Sequence, residues 1–179
     1  MDAAVGCITG TTALDDLAGV DLVVEAIAEE LDIKTALFEN LDEICRPGAI
    51  LATTTSSLPV VDLASLTSRP GDLVGLHFFN PAPVMKLVEV IKGRETSEET
   101  TQRTIELSEA MGKVPVPAND FAGFVSNRVL MPMINEAFHA WADGVAEPEN
   151  IDSIMILGCD FPMGPLRLAD HIGLDVCRD

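Results

Sequence analysis

Residues 21–53 read DLVVEAIAEELDIKTALFENLDEICRPGAILAT. The first eight, Asp21 to Ala28, are a nearly continuous apolar run with β-branched content, which suits a buried parallel strand. Ile33, Leu37, Leu41 and Ile44 then recur at helical spacing, and Arg46-Pro47-Gly48 supplies the breakers that end a helix. Ala49 to Thr53 is a second short buried-strand pattern. Strand, helix and strand in this order form the repeating unit of a parallel sheet.

The same rhythm continues downstream. Thr54-Thr55-Ser56-Ser57 is a polar turn, Val60 to Leu66 offers a short helix, and Arg69-Pro70-Gly71-Asp72 is a turn. Leu73 to Phe79 and Leu87 to Ile91 are two more strand patterns. Ser97, followed by Glu98 and Glu99, gives an N-cap and an acidic first turn to a helix that reaches Met111 and closes at Gly112. This alternation predicts a doubly wound α/β sheet. After Pro115 and Pro117 the character changes. Phe124 to Trp141 predicts a long buried helix with a kink or restart at Pro132, and Glu149 to Leu157 a shorter one before the Gly/Pro-rich loop Cys159 to Pro165. The expected division is an α/β part over 1–118 and a helical part over 119–179, with no internal repeat.

Composition narrows the partners. An apolar fraction of 47% is enough for a sizeable core and argues against disorder. Asp and Glu number 29 against 11 Lys and Arg, a net charge of −18 that repels phosphate backbones and points away from nucleic acid. The acidity fits solubility or a salt-adapted host better than an acidic binding surface, and it is spread along the chain with no run of like charges that would mark a tail. Cys7, Cys45, Cys159 and Cys177 form no C-x-x-C pair and have no metal-ligand spacing to histidine. They are expected to be reduced, mostly buried thiols of a cytoplasmic protein. No secretory leader and no membrane span are expected, and no metal.

In open parallel sheets, ligands collect at the carboxyl ends of the strands. Glu29 and Glu30 follow the first strand, Thr54 to Ser57 the second, and His77 to Asn80 close the third. Convergence of polar groups on one rim of an apolar sheet marks a candidate site. His77 and Glu89 lie twelve residues apart in GLHFFNPAPVMKLVEVI (75–91), across a turn carrying Pro81 and Pro83. If the two strands return side by side, the carboxylate can fix one imidazole nitrogen and leave the other facing a substrate hydroxyl. Spacing alone equally allows a buried, satisfied histidine with Glu89 at the surface. Ser56 and Ser57 could bond a ligand oxygen or cap the next helix, and Asn127 has the same two options at the head of the long helix. His139 and His171 have no acidic or cysteine partner at telling spacing and are expected to be structural. Gly6-Cys7-Ile8-Thr9-Gly10 lacks the G-x-G-x-x-G pattern of a dinucleotide fingerprint.

GLHFFNPAPVMKLVEVI, with TTTSSLP before it, GFVSNRVLMPMINEA after it and PMGPLRLADHIGLD near the end, resembles the 3-hydroxyacyl-CoA dehydrogenase family in order and spacing over nearly the whole chain. The likeness is strongest to its short bacterial members acting on 3-hydroxybutyryl-CoA. The resemblance implies a Rossmann-type NAD-binding domain followed by a helical domain that forms a homodimer. It implies reversible oxidation of an L-3-hydroxyacyl-CoA with NAD, or NADP, as acceptor. In that pattern His77 is the general base, oriented by Glu89. Ser56 lies near substrate oxygen and cofactor, Asn127 holds the substrate carbonyl region, and Glu29, Lys34 and Asn80 contact the cofactor. Family members begin with a strand, a glycine-rich loop and a helix that this chain lacks, and continue past GLDV. The chain alone is therefore expected to be an inactive internal part. Thr54 stands where asparagine is usual, Phe161 where histidine often precedes PMGP, and Ser126 where an aliphatic residue precedes Asn127. These departures bear on substrate preference more than on reaction type. The dehydrogenase part of a multifunctional fatty-oxidation enzyme, or a non-catalytic crystallin-like protein on the same fold, are the alternatives.

Overall fold

The computed structural model describes residues 5–178 and divides into two compact units, Met1–Phe124 and Val125–Asp179. In the first, five strands lie in chain order: β1 (Leu22–Glu25), β2 (Ile50–Thr53), β3 (Leu73–Phe78), β4 (Leu87–Lys92) and β5 (Val114–Asn119). β1, β2 and β3 are parallel, β4 runs antiparallel to β3, and β5 is parallel to β4. Helices α1 (Leu31–Ile44), α2 (Val60–Ala64) and α3 (Glu98–Ala110) cover the two faces.

Alternation along the strands sorts the core into two layers. Leu51, Leu73 and Ile91 pack on one face with Phe38 and Leu41 of α1 and Leu63 of α2. Ile50, Ala52, Val74, Leu76, Val88 and Val90 pack on the other, with Ile105 of α3 beside them. Each large side chain sealed in this way contributes about 1.5–3 kcal/mol. α3 places hydroxyls where apolar groups are usual: Thr100, Thr101, Thr104 and Ser108 are buried. Thr101, Thr104 and Ser108 donate to the carbonyls four residues back, at 2.9, 2.7 and 2.7 Å, so these polar atoms are satisfied within the helix. Ser97 caps this helix as expected, accepting the Thr100 N–H at 3.0 Å.

Three expectations need correction. The buried face of α1 is Lys34, Phe38 and Leu41, while Ile33 is exposed, so the helix is turned by about one residue from its apolar spacing. The cause is Lys34, whose ammonium finds carboxylates inside. Residues 114–119 form a strand despite Pro115 and Pro117. The Val114 and Asp120 N–H groups bond the carbonyls of Lys86, just before β4, and Lys92, its last residue, so the alternate positions 115 and 117 turn their nitrogens to the open edge, where a missing N–H breaks no ladder bond. The cysteines are not mostly buried: only Cys45 is, while Cys7 and Cys159 are exposed and Cys177 lies between.

The second unit contains α4 (Ser126–Ala142), α5 (Pro148–Cys159), α6 (Pro165–Ile172) and α7 (Leu174–Arg178). α4 continues through Pro132 as one helix, and of its residues only Ile134 and Ala137 are buried, with Val129 and Trp141 exposed. Ala137, Ile151 and Leu166 form the small core. Asp152 of α5 caps α6, taking the Leu166 and Arg167 N–H groups at 2.9 Å each. Gly164 leaves the space that this carboxylate needs, since a Cβ there would fall 2.3 Å from the Asp152 side chain. Among the described residues no helix is long and apolar enough to cross a membrane.

Candidate active site

β1, β2 and β3 end side by side, and their register decides what meets there. Glu25 lies opposite Thr53, and Thr53 opposite Gly75. Two residues further, His77 pairs with Glu89 of β4. Strand alternation puts Glu25, Thr53, His77 and Glu89 on the face that carries α1 and α2.

His77 Nδ1 lies 2.7 Å from Glu89 Oε2, and the two side chains are only 7% and 5% exposed. Directly opposed residues on antiparallel strands are close enough for this contact without a strained rotamer. A neutral imidazole bonded in this way to a carboxylate, which only accepts, carries its hydrogen on Nδ1 and keeps a lone pair on Nε2. Phe79 and Phe124 tilt against the imidazole at centroid distances of 5.0 and 5.6 Å and fix its plane. Phe124 does so with φ of 48°, a left-handed conformation that costs a residue with a Cβ roughly 1–2 kcal/mol. Burial of its ring in the α1–α2 core offsets that strain.

A second cluster occupies the ends of β1 and β2. Lys34 Nζ lies 2.6 Å from Glu25 Oε1 and 3.1 Å from Glu29 Oε2. Glu25 also accepts the Ile27 N–H at 2.8 Å and the Thr53 hydroxyl at 2.7 Å. Glu29 in turn accepts the Thr55 hydroxyl and the backbone N–H groups of Ser56 at 3.0 Å and Ser57 at 3.3 Å. Partial burial pushes the Glu29 carboxyl up, but the bonds from Thr55, Lys34 and Ser56 outweigh it and hold the group at about 2. Glu29 is thus an anion that gathers the whole turn after β2.

The sequence-predicted residues fall into these clusters to different degrees. His77 and Glu89 are joined directly, and Glu29, Lys34 and Ser56 form one network. Lys34 is fully buried, whereas Ser56 and Asn80 are exposed, Asn80 lying just past β3. Asn127 is half-buried in the first turn of α4, in the helical unit. Sequence reasoning missed Glu25, and placed Thr55 only within the polar turn after the second strand. The available signal for Glu25 was a carboxylate inside the apolar run of β1, which demands a buried cation. An open hollow of about 290 Å³ adjoins the site between Ser57–Val61 and Asp120–Phe124.

The family models decide the lineage. The 3-hydroxyacyl-CoA dehydrogenase NAD binding domain matches residues 1–121, and the C-terminal domain of the same family matches 123–179. The chain belongs to the 3-hydroxyacyl-CoA dehydrogenase family. Among its relatives, a probable 3-hydroxybutyryl-CoA dehydrogenase of Bacillus subtilis (strain 168) is 56% identical over 170 residues, covering 95% of this chain and 59% of that protein. One from Deinococcus radiodurans is 54% identical, covering 98% of this chain and 63% of that protein. The crystal structure of (S)-3-hydroxybutyryl-CoA dehydrogenase from Ralstonia eutropha matches with a TM-score of 0.95 at 46% identity, over 98% of this chain and 62% of that one. The chain therefore spans about three fifths of the length of these dehydrogenases.

Proposed function

We propose that the protein carrying this chain catalyses the reversible NAD-dependent oxidation of an L-3-hydroxyacyl-CoA, with 3-hydroxybutyryl-CoA as substrate, to the 3-oxoacyl-CoA. The buried His77–Glu89 pair at the carboxyl end of β3 carries this reading. A hydroxyl placed against Nε2 gives up its proton as the C3–O bond becomes a carbonyl. Glu89 stabilises the imidazolium that forms and keeps Nδ1 protonated throughout. In the reverse direction the imidazolium returns its proton to the 3-oxo oxygen. NAD, when bound, accepts the hydride that leaves C3.

The residues present fit such a cofactor. Its ribose hydroxyls and carboxamide need acceptors and donors on the strand-end rim. The ionised Glu29, 40% exposed at its side chain, and the exposed Ser56 and Asn80 supply them. Lys34 is sealed inside and serves the rim through Glu29. Ser56 and Asn127 are assigned to the substrate oxygens. A homodimer through the helical unit belongs to the same reading and is supported by exposed Val129, Trp141 and Leu157; light scattering that finds a monomer at micromolar concentration would overturn it.

The decisive experiment is acetoacetyl-CoA-dependent loss of NADH absorbance by the whole purified protein that carries this chain. Robust turnover is expected. Saturable NADH binding with no turnover of acetoacetyl-CoA or longer 3-oxoacyl-CoAs would sink the assignment.

A further inference from the structure

Glu25 has no role in the proton transfer, yet it is among the most completely satisfied carboxylates in the described structure. Its side chain is 0% exposed and Lys34 is 1% exposed. Burying an ion pair is no efficient route to stability, since apolar residues of similar volume often do as well or better. The connections of this pair suggest what it does instead. Glu25 Oε1 takes Lys34 and the Ile27 N–H, which ties the segment after β1 around the carboxylate. Oε2 takes Thr53, the last residue of β2. Lys34 then reaches outward to Glu29, whose other oxygen collects Thr55, Ser56 and Ser57.

Two carboxylates share one ammonium in this chain of contacts. Glu25 holds the shorter bond, 2.6 against 3.1 Å, and has no exposure to water. The unshared negative charge therefore resides on Glu29, the member that faces the rim. Without Glu25, Lys34 would have a single carboxylate and would draw Glu29 inward, away from the turn.

We propose that Glu25 is a positioning residue: through Lys34 it holds Glu29 as the common acceptor of the Thr55–Ser57 turn, and so places Ser56 and the Glu29 carboxylate for the cofactor. The inference rests on the dehydrogenase reading above. Glu25 touches neither reacting atoms nor cofactor, so its effect must travel through Glu29.

The test is a double-mutant cycle on NADH affinity, read by fluorescence titration, with kcat for acetoacetyl-CoA measured alongside. Glu25→Gln keeps the size of the side chain but removes its charge, and is expected to raise the NADH dissociation constant about tenfold, the scale of a lost charge-assisted hydrogen bond. At saturating NADH, kcat should change less than about threefold. Glu29→Gln should weaken NADH similarly. The double variant should be little worse than either single one, because both act through one carboxylate. Glu25→Gln with wild-type affinity overturns the proposal, and so do effects that multiply in the double variant. If Glu25→Gln does not fold, Thr53→Val removes one bond to the same carboxylate and should raise the dissociation constant about threefold; unchanged affinity there also overturns it. A wild-type protein that binds no NADH overturns the dehydrogenase reading itself, an outcome distinct from any difference between variants.

Discussion

Two buried carboxylates lie one row apart on the same sheet face, and their partners differ. Glu89 is paired with an imidazole across an antiparallel ladder, and Glu25 with an ammonium nine residues along the chain. Both pairs are almost sealed from water, so desolvation penalises charge at each. In the proposed reaction the imidazole gains and loses a proton, and Glu89 steadies it through that change. The Lys34 ammonium has no such task and stays between its two carboxylates. Burial alone does not distinguish a site that moves a proton from one that holds a shape; the partner does.

The sharpest way to break this contrast is at the imidazole. His77→Ala should lower kcat by about 10³-fold, within the usual range for a general base, while NADH affinity changes less than about threefold. Near-normal turnover would remove His77 from the chemistry. Glu89→Gln is the subtler cut and should lower kcat about a hundredfold. The amide can offer its NH₂ to Nδ1, which places the ring hydrogen on Nε2 and leaves no lone pair for the substrate hydroxyl. A Glu89→Gln enzyme with full kcat and raised KM would show that Glu89 serves binding rather than the base.

The unequal legibility of these pairs follows from how each is built. β3 and β4 are adjacent apolar runs, so an imidazole in one and a carboxylate in the other stood out, and their pairing needed only that the strands return side by side. The carboxyl ends of the strands marked Glu29, Ser56 and Asn80, and motif resemblance added Lys34 and Asn127. Glu25 was hidden by its own strand, where DLVVEAIA counted as an apolar run and the acid inside it drew no attention. Lys34 was marked as a cofactor contact by that resemblance alone, since nothing local says which way a lysine on a helix faces. That orientation is set by tertiary pairing, and it also shifted the buried face of α1 away from Ile33. The strand at 114–119 was obscured by prolines that are compatible with an edge and would break a central strand.

Gly75 sharpens the comparison because the two clusters meet there: it lies opposite Thr53 and two residues before His77. An added Cβ would come 2.7 Å from Ile91 Cβ and 3.0 Å from Val60 Cγ2, both on stiff β-branched side chains. Gly75→Ala should destabilise the protein by about 1–3 kcal/mol through overpacking, and lower kcat by displacing β3 against β4. Denaturant midpoints and kcat measured on the same preparation check this. A drop in stability with unchanged kcat would show that the His77–Glu89 pair tolerates movement of its strand.

The smallest effect expected is on the holding side, at Glu29. Its carboxyl is lowered from 4.5 to about 2, so the folded state favours the anion. A depressed carboxyl contributes stability that is fully present above the unfolded value of 4.5 and is lost as pH falls toward 2. Because the side chain is 40% exposed, water screens much of the interaction, and the contribution near neutral pH should stay below about 1 kcal/mol. Glu29→Gln should therefore be slightly less stable than wild type at pH 7, with roughly two fifths of the difference left at pH 3. Urea unfolding of both proteins across that range measures the gap. A gap that stays constant down to pH 3 would mean that Glu29 steadies the Thr55–Ser57 turn by shape and hydrogen bonds that a neutral amide cannot copy. A gap that closes assigns the work to its charge, which shares the Lys34 ammonium with Glu25.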